Sequence, residues 1–192
     1  REFNREVAFK EIKSQHRSSQ DAQQRFLLEA QVTGGLEHPG IVPVYGLGHF
    51  QDGRPFYAMR FIRGDSLKEA IDTFHQQRAD GISKASRQGY AHDVQFRDII
   101  SRFIDVCFAM EYAHSRGVLH RDLKPGNIML GKYGETLVVD WGLAKATVGP
   151  EDTQIPMGDL DQETPLVPGS GDYGSATQTG RALGTPQFMS PE

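Results

Sequence analysis

The run Val118-Leu119-His120-Arg121-Asp122-Leu123-Lys124-Pro125-Gly126-Asn127 constrains this chain more than any other stretch. It sets a carboxylate and a carboxamide five residues apart on a tight loop that follows an apolar strand. Such a pair suits phosphoryl transfer. The carboxylate can orient and deprotonate an attacking hydroxyl, while the carboxamide oxygen can hold a Mg²⁺ that neutralises charge growing on the transferred phosphate. Base and metal ligand must then sit on one rigid loop. A second carboxylate follows at Asp140, in Val138-Val139-Asp140-Trp141-Gly142, again at the end of an apolar strand. An ordinary polar turn accounts for one such run but not for two in this order.

The composition is that of a soluble globular protein, 38% hydrophobic and 24% charged over 192 residues, enough for one domain or two small lobes. Net charge is only -4 and the Lys and Arg residues are scattered, which excludes the basic stripe of a nucleic-acid-binding surface. The one cysteine, Cys107, rules out an internal disulfide; lying in an apolar helical run, it reads as a buried, inert thiol in a reducing compartment. No apolar stretch approaches the roughly 18 to 20 residues that cross a bilayer, and no signal peptide opens the chain. This segment is therefore expected to make no membrane contact and to work in the cytoplasm, with any anchor lying elsewhere in a parent protein. Both ends look cut, since the chain opens on Arg1 and stops at Glu192.

Along the chain, period-two alternation around Val7, Phe9 and Ile12 predicts a strand that contains Lys10. Ser18, Ser19 or Asp21 caps a helix predicted to run to about Leu36, with Phe26, Leu27, Ala30 and Val32 on its apolar face and Glu29 beside them. Two β-rich runs, 41–50 and 55–62, flank the turn signal Gln51-Asp52-Gly53 and predict a hairpin. Gly64-Asp65-Ser66-Leu67 caps a short helix, and the polar stretch 76–95 reads as an exposed insertion without chemistry. From about Phe96 to Arg116, Ile99, Ile100, Phe103, Ile104, Val106, Cys107, Met110 and Ala113 recur at helical spacing, and Gly117 ends this main core helix. Short strands are expected over 127–130 and 136–139, and 146–180 reads as a long loop.

With these elements in order, the sequence resembles the eukaryotic-like (Hanks-type) serine/threonine protein kinases, most closely their bacterial branch. Val118 to Asn127 fits the catalytic-loop pattern H-R-D-L-x-x-x-N. Val7-Ala8-Phe9-Lys10 corresponds to V-A-I-K, Glu29 to the helix-C glutamate, Asp140-Trp141-Gly142 to D-F-G, and Ser190-Pro191-Glu192 to A-P-E. The resemblance implies an α+β, two-lobed kinase-like fold, incomplete at both ends. Residues 1–63 would form part of a small β-rich lobe and 64–192 part of a larger, mainly helical one, with a hinge near Arg60 to Gly64. It implies ATP and Mg²⁺ as cofactors and protein Ser/Thr residues as substrates. Lys10 would pair the ATP phosphates and be held by Glu29 through an ion pair that closes when the helix swings inward. Asp122 would be the base, Lys124 would steady the γ-phosphate, and Asn127 and Asp140 would bind Mg²⁺. Met59 falls at the gatekeeper position, ahead of the adenine-binding hinge Arg60-Phe61-Ile62. Lys124, two residues after the aspartate, points to Ser/Thr rather than Tyr specificity, and Thr185 matches the family threonine that bonds the catalytic aspartate and lysine. Arg121 is suited to grasp a phosphate on the activation loop, where Thr177 and Thr179 resemble autophosphorylated threonines. Such modification in trans would require self-association.

Three departures qualify the resemblance. No glycine-rich phosphate loop precedes Lys10 and nothing follows Glu192, so the chain reads as a catalytic-domain fragment, expected to be inactive or unstable alone. Trp141 stands for the phenylalanine of D-F-G; the indole can still pack beneath helix C and makes this sole tryptophan a reporter of its loop. Gly126 replaces a glutamate of some basophilic members, which leaves peptide preference open. Two competing readings stand beside the kinase. A pseudokinase scaffold would have no chemical need of a base and two metal ligands together. A small-molecule phosphotransferase would not need residues 184–192.

Overall fold

The computed structural model describes residues 5–12, 19–81, 87–142, 144–146 and 184–189. Strands β1 (Val7–Glu11), β2 (Val44–His49) and β3 (Pro55–Arg60) form an antiparallel sheet in the order β1-β3-β2. Alternation along β1 sends Ala8, Lys10 and Ile12 to one face and Phe9 to the other. The hairpin turn closes as anticipated: Gly53 takes φ +81°, and the Asp52 carboxylate accepts the Arg54 amide at 3.2 Å. Helix α1 (Gln20–Gly35) starts at Ser19, whose Oγ accepts the Ala22 amide at 3.3 Å and so satisfies one of the helix's free donors. Its Phe26 and Ala30 pack with Tyr57 of β3, backed by Ile12, Val44 and Met59. The face of β1 and β3 that carries Lys10 is thus the face that α1 covers.

Strand β4 (Gly64–Ser66) leads into α2 (Leu67–Gly81) through a reciprocal cap. Ser66 Oγ accepts the Glu69 amide at 3.2 Å, and Glu69 Oε2 accepts the Ser66 amide at 2.7 Å. Helix α3 (Arg87–Ser115) ends at Gly117, whose left-handed φ of +72° an L-residue would adopt only at a cost. Next come β5 (Val118–Leu119), β6 (Ile128–Gly131), β7 (Thr136–Val138) and β8 (Lys145–Ala146). Strand β6 sits between β4 and β7, and β5 pairs with β8. The larger core joins Val106, Ala109, Met110 and Ala113 of α3 to Val118, Ile128, Val138 and Trp141, and it takes in Val32 of α1 and Leu36 and Ile41 beyond it. Each fully buried aliphatic side chain there stabilises the fold by roughly 1.5–3 kcal/mol.

Two expectations are corrected. The polar stretch 76–95, read as an exposed insertion, lies largely within the two helices: α2 extends into it as far as Gly81, and α3 already begins at Arg87. Straight-chain residues such as Gln and Arg lose little rotamer freedom in a helix, so a low apolar content did not mean an absence of helix. Cys107 is exposed rather than buried. The face of α3 that packs inward is set by Val106, Ala109, Met110 and Ala113, and Cys107 falls on the opposite stripe with Ile100, Phe103 and Ile104, all exposed among the described residues. Apolar residues go all round this helix, so periodicity alone did not say which stripe faces in. The activation-loop threonines Thr177 and Thr179 and the Ser190-Pro191-Glu192 segment lie outside the described residues.

Candidate active site

The loop between β5 and β6 is built around a buried histidine. His120 lies against the Trp141 indole at 4.6 Å between centroids. Its Nε2–H donates to the Val139 carbonyl at 3.2 Å, and its Nδ1 accepts the Asp122 amide at 3.3 Å. Burial pushes the His120 pKa down, so the ring is neutral and one tautomer serves both partners. The imidazole thereby ties the strand end at Val139 to the backbone of Asp122.

Around Asp122 the expected cluster assembles. Lys124 Nζ donates to Asp122 Oδ2 at 2.7 Å and to Thr185 Oγ1 at 2.9 Å, and Thr185 in turn donates to Asp122 Oδ1 at 2.6 Å. Asn127 Nδ2 donates to the Asp122 carbonyl at 2.9 Å. Burial would raise the Asp122 pKa, but hydrogen bonds from Lys124 and Thr185 outweigh it and hold the carboxyl below its ordinary value. Asp122 is therefore ionised at neutral pH and able to accept a proton. Thr185 reaches it because Gly184 takes φ +120° and a Cβ there would stand 2.7 Å from the Arg121 carbonyl oxygen, so only glycine permits the approach.

The second cluster lies at the sheet end of the site. Lys10 Nζ bonds Glu29 Oε1 and donates to Asp140 Oδ1 at 2.7 Å. Burial lowers the Lys10 pKa and the Glu29 and Asp140 carboxylates raise it, with a net rise above the ordinary lysine value, so the ammonium stays charged. Arg121 (φ 63°) and Asp140 (φ 64°) are the two non-glycine residues with left-handed backbone among the described residues. Both lie in this site, where such strain commonly collects. Met59 is half-buried against the α1 face of the sheet, and Phe61 is exposed.

Asn127 and Asp140 form a donor set that fits Mg²⁺. The Asn127 amide nitrogen is engaged by the Asp122 carbonyl, which leaves its oxygen as the acceptor, and the Asp140 side chain is 48% exposed. One carboxylate and one amide oxygen suit a metal that keeps several waters and takes its other ligands from phosphates.

Two residues of the site escaped the sequence reading. His120 was legible only as part of the motif. Tyr57, 2% exposed, donates its hydroxyl to Glu29 Oε1 at 2.8 Å. The signal was its place two residues before Met59, hence on the same strand face, but only the β1–β3 register puts it opposite Lys10.

The family model described as the protein kinase domain matches residues 1–192. The serine/threonine-protein kinase PknD of Protochlamydia amoebophila (strain UWE25) is 37% identical over 190 residues, 99% of this chain and 18% of that protein. The protein of the same name from Chlamydia muridarum (strain MoPn / Nigg) is 38% identical over 192 residues, 98% of this chain and 19% of its own length. The chain belongs to the protein kinase domain family, and it spans about a fifth of the length of these curated relatives. ATP and Mg²⁺ are the general requirements of that family. Among the described residues no helix is long and apolar enough to cross a membrane.

Proposed function

We propose that this chain forms the core of a protein serine/threonine kinase that moves the γ-phosphoryl group of Mg-ATP onto Ser or Thr hydroxyls of proteins, working in the cytoplasm. The observation that carries this reading is the coexistence of two closed clusters. Lys10 bonds both Glu29 and Asp140 while Asp122, Lys124, Thr185 and Asn127 bond one another. A protein that only held nucleotide would have no use for the Asp122 cluster.

In this reading Asp122 accepts the proton of the attacking hydroxyl as the new O–P bond forms and the bond to the β-phosphate oxygen breaks, and ADP departs. Lys124, already hydrogen-bonded to Asp122 and Thr185, steadies the γ-phosphate, and its position favours Ser/Thr over Tyr substrates. Lys10 holds the α and β phosphates. Asn127 and Asp140 hold Mg²⁺, which when bound supplies charge neutralisation at the phosphates. Met59 and the backbone around Phe61 border adenine at a hinge that divides 1–63 from 64–192. Arg121 receives a phosphate placed on Thr177 or Thr179 by a second copy of the protein.

The test is transfer of labelled phosphate from Mg-ATP by the full-length protein beside an Asp122→Asn variant, with the modified residues mapped by mass spectrometry. Transfer should fall about 10²- to 10⁴-fold in the variant, the usual loss for a general base. Label on Thr177 or Thr179 should disappear with it. Nucleotide binding without any transfer in the unaltered protein would instead support the pseudokinase.

A further inference from the structure

We propose that Tyr57 is a positioning residue, which anchors the Glu29 carboxylate from the sheet so that α1 stays inward and Lys10 stays aimed before a nucleotide arrives. The inference rests on the kinase reading of Lys10 and Glu29. In the β1–β3 register Tyr57 lies directly opposite Lys10 on the face covered by α1. Its hydroxyl and the Lys10 ammonium converge on the same oxygen, Glu29 Oε1. Glu29 is 6% exposed, so its hydrogen bonds come from these two donors rather than from bulk water.

The two donors differ in permanence. Lys10 also serves Asp140 and is about one-third exposed, so it must share its hydrogen bonds with an incoming phosphate while it keeps its ion pair to Glu29. The Tyr57 hydroxyl makes its bond from a buried position and does not depend on Lys10. Burial, then the neighbouring Glu29 carboxylate, push the phenol pKa far above its ordinary value, so the hydroxyl keeps its proton wherever the protein is folded. With Tyr57 in place the carboxylate has a fixed second donor while Lys10 also serves the phosphates, and the helix is held inward before nucleotide arrives.

The ring has a separate role, since it packs on Phe26 of α1 at 5.2 Å between centroids. Phenylalanine would keep that contact and remove only the hydroxyl. The experiment therefore compares Tyr57→Phe with the unaltered full-length protein, both in the natural background and in Glu29→Met, reading melting temperature, amide exchange across α1, and kcat and KM for ATP. We expect a melting temperature lowered by about 2–4 °C, faster exchange in α1 of the nucleotide-free protein, and KM for ATP raised about tenfold with a smaller change in kcat, as for a lost hydrogen bond to a charged group. Tyr57→Phe should add nothing in the Glu29→Met background. Wild-type α1 exchange and KM in Tyr57→Phe, or an equal effect in both backgrounds, would overturn the proposal. Absence of phosphate transfer from the unaltered protein would remove the kinase reading, and α1 exchange would still decide whether Tyr57 anchors Glu29.

Discussion

Asp122 has its chemistry set by the side chains of Lys124, Thr185 and Asn127, which hold it ionised, and by one glycine that lets Thr185 approach. At Gly184 both the backbone and the space forbid a side chain, because φ is +120° and a Cβ would meet the Arg121 carbonyl. Gly184→Ala should strain this turn by about 1–3 kcal/mol and withdraw Thr185 from Asp122 and Lys124. Phosphate transfer should fall at least tenfold while nucleotide affinity stays near the natural value, since the turn touches no residue of the Lys10 cluster. Steady-state kinetics with a separate nucleotide titration checks this, and equal losses in both would contradict it. His120 works by a different route. Its depressed pKa keeps it neutral, so its two hydrogen bonds hold the loop without adding a cation beside Asp122.

The elements that carry these residues depend on local caps. Helix α2 begins at the reciprocal Ser66–Glu69 cap, and the same Ser66 ends β4, which pairs with β6 next to the Asn127 loop. Ser66→Ala should cost about 0.5–2 kcal/mol in chemical denaturation, the usual range for a lost N-cap, and Ser66→Thr should restore most of it. No change in the alanine variant would mean that packing of α2 on α3, rather than the cap, sets where the helix starts. The exposed apolar stripe of α3 shows the limit of element-level reasoning. Ile100, Phe103 and Ile104 have the same hydrophobicity as the inward residues, and contact with β5, β6 and β7 chose the other stripe.

At the scale of the whole molecule, the segment after α1 is stitched to the far sheet as well as to its own, where the Pro43 carbonyl accepts the Arg60 amide at 3.0 Å. Val42 N–H donates to the Val138 carbonyl at 3.2 Å, Val138 N–H donates to the Gly40 carbonyl at 2.8 Å, and Ile41, 1% exposed, sits between α1 and α3 in the larger core. Arg60 of β3 also bonds Glu135, in the turn before β7, at 2.5 Å. The helix that bears Glu29 is thus coupled to the strands that lead to Asp140. Ile41→Ala should destabilise the protein by about 2–5 kcal/mol, and amides of α1 and α3 should lose exchange protection together. Loss confined to one of the helices would show that the two regions open independently.

Much of the candidate site was legible in the sequence because its parts are local: Asp122, Lys124 and Asn127 share one loop, Asp140 ends the strand pair that follows, and short-range sterics place such residues with little help from the rest of the chain. The strand around Lys10, the Ser19 cap, the hairpin turn and the Gly117 stop were readable for the same reason. Tertiary structure decided what depends on partners distant in sequence. The β1–β3 register put Tyr57 opposite Lys10 and gave Glu29 its second donor, a relation that no spacing encodes. Packing chose the inward stripe of α3 and left Cys107 outside, because an all-round apolar helix has no preferred face until a neighbour buries one. Motifs named the groups of the site, and long-range pairing and burial fixed which of them touch.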